Sequence, residues 1–376
     1  MTAIGIFIAI FLAFFIIRLL YWQPALEKLD VDVSISSTRA MEGAKLVLTT
    51  VLTNTKWLPL PWVSVKLRVS RHLLFSDTEN AQITDHYYRN DLYNILMRQR
   101  ITRRLPFVCG KRGYYRVDSV DVTAWDMLVE QKSSASVKCD VHLTVYPSGL
   151  PMENIDDICV QVYGQLRTHN IMHPDPFSFK GIREYSPHDP LKAINFKASA
   201  KAQELMVNLW EHTNSRQVIL LYNLQKHSRW HSEVLDEYTI KLVASLAEKL
   251  VLQNVPTRFI TNGISVNDSD TTTHIPEGIG ELQLDRILEV LALLDIEKTD
   301  VVSFSDILND TATEYKQEPE YWLISTHHGP ELEAAYTELR AQGARTVWIL
   351  PRSTGILLDV EEITLSREIM EHVILA

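Results

Sequence analysis

The chain has 376 residues, of which 46% are hydrophobic and 22% are charged, and its formal net charge is -10. This composition indicates a globular protein long enough for two separate cores, and it excludes a disordered chain. The acidic balance argues against a nucleic-acid-binding protein, which usually carries a basic excess. The spacing of Cys109, Cys139 and Cys159 fits neither a zinc site nor a disulfide framework, so we expect three reduced cysteines.

The first 22 residues are almost wholly apolar. No charged side chain precedes Arg18, and Tyr21 and Trp22 follow where an interfacial aromatic belt would lie. Residues 1–22 are therefore predicted to form a single membrane anchor in contact with lipids, because their length just suffices to cross a bilayer. A cleaved signal peptide is the alternative, although no basic start or small-residue cleavage site is visible. The positive-inside tendency then predicts an inner (cytoplasmic) membrane protein, single-pass, with the bulk of the chain in the cytoplasm.

Residues 30–150 have a hydrophobic period of two. Val31, Val33 and Ile35 alternate with polar residues, and the same alternation recurs over residues 63–69 and 141–145. This period is typical of strands with one buried face. The region is predicted to be an antiparallel β-sandwich of immunoglobulin-like or fibronectin-like type.

A basic run lies within this predicted sandwich. Seven arginine and lysine residues and no acidic residue occur between Arg98 and Arg116. One interpretation is contact with anionic lipid. The other, which we favour, is that these side chains are solvated or paired with the many carboxylates of the chain.

Residues 216–376 alternate between strand and helix patterns. The apolar run from Val218 to Tyr222 predicts a buried strand, and Leu235, Leu242 and Leu246 lie on one face of the helix predicted next. Such alternation predicts an α/β domain with a parallel sheet covered on both faces. The chain is thus expected to be multidomain.

The segment between these regions, residues 151–215, is predicted to be a connecting motif in which charged and apolar residues are interleaved. Its candidate functional residues are Arg183, Glu184, Tyr185, Asp189, Asn195, Lys197, Ser199, Lys201 and Glu204. Two hypotheses remain open, and they are compatible. Either the charges form an ion-pair lattice that holds the segment in place, or part of the segment is a docking surface for a partner protein.

The same residues carry a family resemblance. Arg183-Glu184-Tyr185, Asp189-Pro190 and the run Ile194 to Lys201 resemble the signature of the bacterial family called domain of unknown function 58. The sequence departs from that signature at His188, Lys192, Phe196 and Lys201, where the family has Gly, Arg, Trp and Arg. A second stretch, from Lys111 to Tyr115 and on to Trp125 and Leu128, also resembles the family.

The resemblance implies a von Willebrand factor A-like α/β domain and association with MoxR-type AAA+ ATPases. The metal site of such domains uses an Asp-x-Ser-x-Ser turn and a later Asp. Here Asn223, Gln225 and Thr326 occupy those places. Because these side chains are poor ligands for a hard cation, the metal site is predicted to be degenerate, with no metal and no cofactor.

Catalysis is not expected. Ser199 with His188 and Asp189 is one candidate catalytic set, and Cys159 with His169 or His173 is another. Neither candidate nucleophile lies in a nucleophile elbow. No glycine-rich phosphate loop is present. The sequence therefore predicts a membrane-anchored, non-enzymatic scaffold or adaptor that binds protein partners, a MoxR-type AAA+ ATPase foremost. The alternatives are a hydrolase or transferase using the central motif, and a cation-dependent adhesion module.

Overall fold

The computed structural model describes residues 5–6, 8, 11–12, 15, 26–125, 132–167, 179–186, 194–210, 217–225, 233–266, 272–296, 302–314, 319–327, 329–351 and 373–375. The chain divides into two compact units. The first comprises Met1–Gly149, Ser265–Ser269 and Leu288–Asp295. The second comprises Leu150–Ile264, Asp270–Ile287 and Ile296–Ala376.

The described residues of the first unit form two β-sheets. The strands are β1 (Leu29–Ile35), β2 (Arg39–Met41), β3 (Lys45–Asn54), β4 (Leu60–Ser70), β5 (Leu73–Phe75), β6 (Ala81–Ile83), β7 (His86–Ile95), β8 (Arg100–Cys109), β9 (Gly113–Trp125) and β10 (Lys132–Tyr146). One sheet has the order β1-β3-β8-β5, and the other has the order β2-β10-β9-β4-β7-β6.

The alternating sequence pattern forms the core of this unit. Leu48 and Leu52 of β3, Phe107 of β8 and Leu143 of β10 are almost completely buried and belong to one continuous hydrophobic cluster. Each such side chain contributes about 1.5–3 kcal/mol when it leaves water. Alternate residues of a strand face opposite sides of the sheet, so Thr50, which lies between Leu48 and Leu52 on the same face, is buried with them.

The second unit contains a six-stranded sheet and its helices. The strands are β13 (Val218–Asn223), β14 (Thr257–Thr261), β15 (Thr273–Gly278), β16 (Glu320–Ser325), β17 (Arg345–Leu350) and β18 (Val373–Leu375), in the order β15-β14-β13-β16-β17-β18. The helices are α1 (Met152–Arg167), α3 (Glu233–Leu252), α4 (Glu281–Leu293), α5 (Phe304–Glu314) and α6 (Pro330–Ala341), and the residues of α4 from Leu288 onwards belong to the first unit. Strands β13, β14 and β16 are buried along their whole length, which explains the apolar run of β13 from Val218 to Tyr222.

A small substructure within the second unit carries the central motif. It consists of β11 (Phe179–Glu184), α2 (Phe196–Ala202) and β12 (Met206–Trp210). The two strands form their own antiparallel sheet. We call residues 179–186 and 194–210 the central module.

The predicted membrane anchor is corrected. Among the described residues, no helix is long and apolar enough to cross a membrane, whereas a spanning helix needs about 20 apolar residues. The described positions in this stretch are 5–6, 8, 11–12 and 15, and the rest of residues 1–22 lie outside the described residues. The finding contradicts the single-pass helix and the inner-membrane location that we inferred from apolar composition alone.

The two sheet predictions are corrected as well. The first unit is not wholly antiparallel, because β2 pairs in parallel with the end of β10. The sheet of the second unit is not wholly parallel, because β15 runs antiparallel to β14. The connection from Thr261 to Thr273 is too short for the crossover helix that a parallel strand would need. The predicted von Willebrand factor A-like domain is accordingly replaced by an α/β unit with a mixed sheet.

Candidate functional site

The central module is built around one antiparallel strand pair. Ile182 lies opposite Asn208, and Glu184 lies opposite Met206. Beyond the end of this pairing, the backbone N–H of Tyr185 donates to the carbonyl of Leu205 at 2.8 Å. After α2 the chain enters β12, so the described candidate residues, from Arg183 to Tyr185 and from Asn195 to Glu204, belong to one local structure.

Two of the candidate residues hold this structure together. The side-chain oxygen of Asn195 accepts from the N–H of Ala198 at 2.9 Å and caps the first turn of α2. The hydroxyl of Ser199 donates to the carbonyl of Asn195 at 2.8 Å and accepts from the N–H of Met206 at 2.9 Å. Asn195 and Ser199 therefore fix α2 against β12.

The charged candidates lie at the surface. Arg183, Glu184, Lys197, Lys201 and Glu204 are all exposed, and Arg183 Nη1 donates to the backbone carbonyl of Glu184 at 2.9 Å. Asp189, the remaining charged candidate, lies outside the described residues. Because exposed ion pairs contribute about 0–1 kcal/mol, these charges add little to the stability of the module.

Large apolar side chains are exposed beside these charges. Phe196 is 76% exposed, Leu205 is 51% exposed and Ile182 is 42% exposed, whereas Val207 of the same module is buried. Exposed aromatic and aliphatic side chains with charged neighbours are typical of surfaces that bind other proteins. The module thus has the chemistry of an interface, with a structural frame made by Asn195 and Ser199.

The carboxyl ends of β13 and β16 contain the residues of the predicted degenerate metal site. Asn223 is buried; its Nδ2 donates to the hydroxyl of Ser325 at 3.1 Å, and its Oδ1 accepts from Nδ2 of Asn262 at 3.0 Å. The N–H of Gln225 donates to the same Oδ1 at 2.9 Å. These amides and hydroxyls therefore form a neutral hydrogen-bonded network. Thr326, the third predicted residue, follows Ser325 and is half-buried.

In the part of the chain that the structure describes, no three His, Cys, Asp or Glu side chains come together as they would around a metal ion.

Among the described residues, the contacts of the two nucleophile candidates do not activate them. Ser199 uses its hydroxyl in the two backbone hydrogen bonds described above. Cys159 is buried, and this burial raises the pKa of its thiol, which disfavours the reactive thiolate. The proposed partners His188, Asp189, His169 and His173 lie outside the described residues.

The basic run of the first unit is largely occupied by internal contacts. Arg103 forms an ion pair with Asp77 at 3.0 Å, and Arg116 forms one with Asp118 at 2.6 Å. The Arg98 guanidinium lies 3.8 Å from the centre of the Trp57 ring. Buried Arg112 donates to the carbonyls of Leu291 and Leu294, at 2.8 and 3.1 Å, in the segment Leu288–Asp295 of the same unit. The contacts of Arg103 and Arg116 agree with the interpretation that the side chains of this run are solvated or paired with carboxylates, whereas Arg98 and Arg112 have other partners.

Sequence reasoning missed a polar cleft between β4 and β9, which includes Arg68, His86 and Tyr114. In sequence these residues belong to ordinary strand patterns. No sequence signal distinguishes a strand whose edge is paired from one whose edge borders a cleft.

Comparison with family models and with curated proteins gives no match. Among solved structures, the chain is similar to a CARDB domain from Pyrococcus furiosus, at 12% identity over 32% of this chain and 94% of that chain, with a TM-score of 0.21. A non-cellulosomal cohesin from Archaeoglobus fulgidus is similar at 14% identity over 34% of this chain and 97% of its own, with a TM-score of 0.21. A GH20 exo-β-N-acetylglucosaminidase from Vibrio harveyi is similar at 9% identity over 86% and 76%, with a TM-score of 0.23. At TM-scores this low, these likenesses decide neither the fold nor the function.

Proposed function

We propose that this chain is a non-enzymatic adaptor or scaffold that binds a protein partner through the exposed surface of the central module. The observation that supports this most strongly is the exposure of Phe196, at 76%, in a module where Ile182 and Leu205 are also exposed. Removing such a ring from water on binding contributes about 1.5–3 kcal/mol. Aromatic anchors of this kind dominate the affinity of many protein interfaces.

The proposed partner is a MoxR-type AAA+ ATPase. This choice rests on the resemblance of the central motif to the family called domain of unknown function 58. The module carries both signs of charge, with Lys197 and Lys201 on α2, Glu204 just after α2 and Glu184 at the end of β11. A partner surface of complementary charges would gain orientation and a faster association from them.

The internal role of Ser199 supports a binding function over a hydrolase or transferase. A serine nucleophile needs a base that removes its proton and an oxyanion donor near the reacting atom. Here the Ser199 proton is directed at the carbonyl of Asn195, at 2.8 Å, and a backbone carbonyl is not a base.

The test is the affinity of the purified chain for a purified MoxR-type ATPase from the same organism, measured by biolayer interferometry. The double variant Phe196→Asp, Lys201→Glu should bind at least tenfold more weakly, because it removes the anchor and reverses one charge. Val234→Asp is the matched control, since Val234 of α3 is 80% exposed and lies outside the module.

Two results would contradict different parts of the proposal. Absence of binding by the unmodified chain would reject the ATPase as the partner. Binding that the double variant retains in full would reject the central module as the docking surface. Thermal melts test whether both variants are folded, and we expect that they are because the altered side chains are exposed.

A further inference from the structure

The six-stranded sheet of the first unit is split along part of its length. Strand β4 pairs with β9 only from Trp62, opposite Trp125, to Lys66, opposite Asp121. Beyond this point β4 continues to Ser70 in pairing with β7, and β9 extends back towards Gly113 in pairing with β10. A cleft of about 1170 Å³ lies along the separated parts of the two strands.

The cleft is bordered by the backbone edges of β4 and β9 as well as by side chains on one face of the sheet. All five residues from Lys66 to Ser70 line it, as do the three successive residues from Tyr114 to Arg116. Since successive side chains of a strand point to opposite faces, such runs place the backbone itself along the cleft.

The backbone groups on these edges are suited to pairing. In the described part of the chain, the pairing of β4 with β9 ends at Lys66 and Asp121, so Leu67–Ser70 and Arg116–Val120 have no partner across the cleft. A row of N–H and C=O groups of this kind is a template for an added strand. Four residues of β4 would accommodate roughly 13 Å of extended chain.

The charges of the cleft favour an acidic side chain in that added strand. Arg116 is already paired with Asp118 at 2.6 Å, and Lys66 lies opposite Asp121 in the ladder. Arg68 is exposed, and its Nη2 lies 3.3 Å from Nε2 of His86. Within the described residues, no carboxylate forms an ion pair with Arg68.

Aromatic rings complete the lining. Tyr88 is 38% exposed on β7, and Tyr114 of β9 stacks on His142 with a centroid distance of 6.3 Å. Rings in these positions offer apolar surface to the side chains of an extended peptide, next to the cationic Arg68.

We propose that this cleft binds an extended peptide segment of a partner protein, which adds as a strand along β4 and places an acidic side chain on Arg68. Main-chain hydrogen bonds would supply affinity, and Arg68 with the tyrosines would supply selectivity. The site does not involve the central module, so this inference does not depend on the function proposed above.

The experiment selects a phage-displayed library of random dodecapeptides on the full-length chain and measures the synthetic winners by fluorescence anisotropy. We expect selected peptides to contain Asp or Glu and to bind Arg68→Glu at least tenfold more weakly. Arg71→Glu is the matched control, because Arg71 is exposed next to β4 but does not line the cleft. Should Arg68→Glu fail to fold, Arg68→Gln provides the same comparison without charge reversal.

A second measurement distinguishes strand addition from other peptide contacts. Methylation of single backbone nitrogens along a selected peptide should abolish binding at every second residue and leave the residues between largely unaffected, because alternate N–H groups of a strand face its partner.

Three results would overturn the proposal. The first is the absence of any peptide that binds the cleft, and the second is equal affinity for the Arg68 and Arg71 variants. The third is binding of neutral oligosaccharides on a glycan array that Arg68→Gln abolishes, which would assign the cleft to carbohydrate.

Discussion

Two groups of charged side chains in this molecule have opposite surroundings. In the first unit, the Arg89 side chain is 1% exposed and contacts two carboxylates, Asp91 at 2.7 Å and Asp77 at 3.0 Å. In the central module, Arg183, Lys197 and Lys201 are exposed. The first group is committed to the fold, because a buried ion is tolerated only when it is paired and hydrogen-bonded. The second group remains accessible to a partner.

The pKa shifts in the first group follow from the same contacts. The backbone N–H of Glu79 and the Arg89 guanidinium hold the pKa of the Asp77 carboxyl below its usual value. Burial, together with the nearby Asp91 carboxylate, raises the pKa of Tyr93 to about 12. Each group thus keeps at neutral pH the protonation state that the cluster requires.

The largest predicted effect is on this cluster. Arg89→Met leaves two carboxylates without their shared cation, so the free energy of unfolding should fall by about 3–5 kcal/mol, as measured by urea denaturation. Arg103→Met is the matched control, because the Arg103 side chain is 42% exposed and also contacts Asp77. Its expected loss is below about 1 kcal/mol. Equal losses in the free energy of unfolding would show that the burial of Arg89 does not increase its contribution to stability.

The second prediction concerns a buried polar group without charge. Asn223→Ala removes the partner of the Asn262 amide and of the Gln225 N–H, and it should cost about 1–3 kcal/mol in urea denaturation. Asn154→Ala, at an exposed position of α1, should change stability by less than about 0.5 kcal/mol. A loss at Asn223 no greater than that at Asn154 would show that the network contributes nothing.

A third prediction separates the frame of the central module from its exposed side chains. Ser199→Ala removes the hydroxyl that accepts from the Met206 N–H, so hydrogen exchange of that amide should accelerate by about fivefold to tenfold, equivalent to about 1–1.4 kcal/mol. Ser199→Thr keeps the hydroxyl and should exchange at close to the original rate. Unchanged exchange in Ser199→Ala would remove the structural role assigned to this residue.

The smallest predicted effect is on pH dependence. The pKa of the Asp77 carboxyl is lower in the folded chain than the unfolded value of about 3.9. Its contribution to stability is therefore complete above about pH 4 and is lost as the pH falls through the folded pKa. Melting temperatures measured from pH 6 to pH 2.5 should decline less steeply for Asp77→Asn than for the unmodified chain. Parallel declines would contradict this linkage.

Part of this arrangement is readable in the sequence. The alternation at Val31, Val33 and Val65 predicts which strand faces are buried, and burial follows it. The same parity along β7 places Arg89 with buried Tyr87 and Ile95, so a signal for the buried arginine was present. The parallel pairing of β2 and the reversal of β15 could not be predicted, because they depend on contacts distant in sequence and on connection length.

The candidate site was less predictable than the strands. The family resemblance identifies its residues. It does not show which of them hold the module together and which are exposed at its surface. Asn195 and Ser199 are ordinary polar residues in sequence; Asn195 caps α2 through the nearby Ala198, whereas only the return of β12 gives the Ser199 hydroxyl its partner at Met206. The exposure of Phe196 was also hidden, because the motif has neither a helical nor a strand period.

The central claim, that the exposed surface of the central module binds a protein partner, is tested most directly by hydrogen exchange of the full chain with and without the MoxR-type ATPase. We predict protection of the amides from Ile182 to Tyr185 and from Phe196 to Leu205, with no protection in a sample carrying Phe196→Asp and Lys201→Glu. Protection confined to other segments, with the module exchanging equally in both states, would contradict the claim.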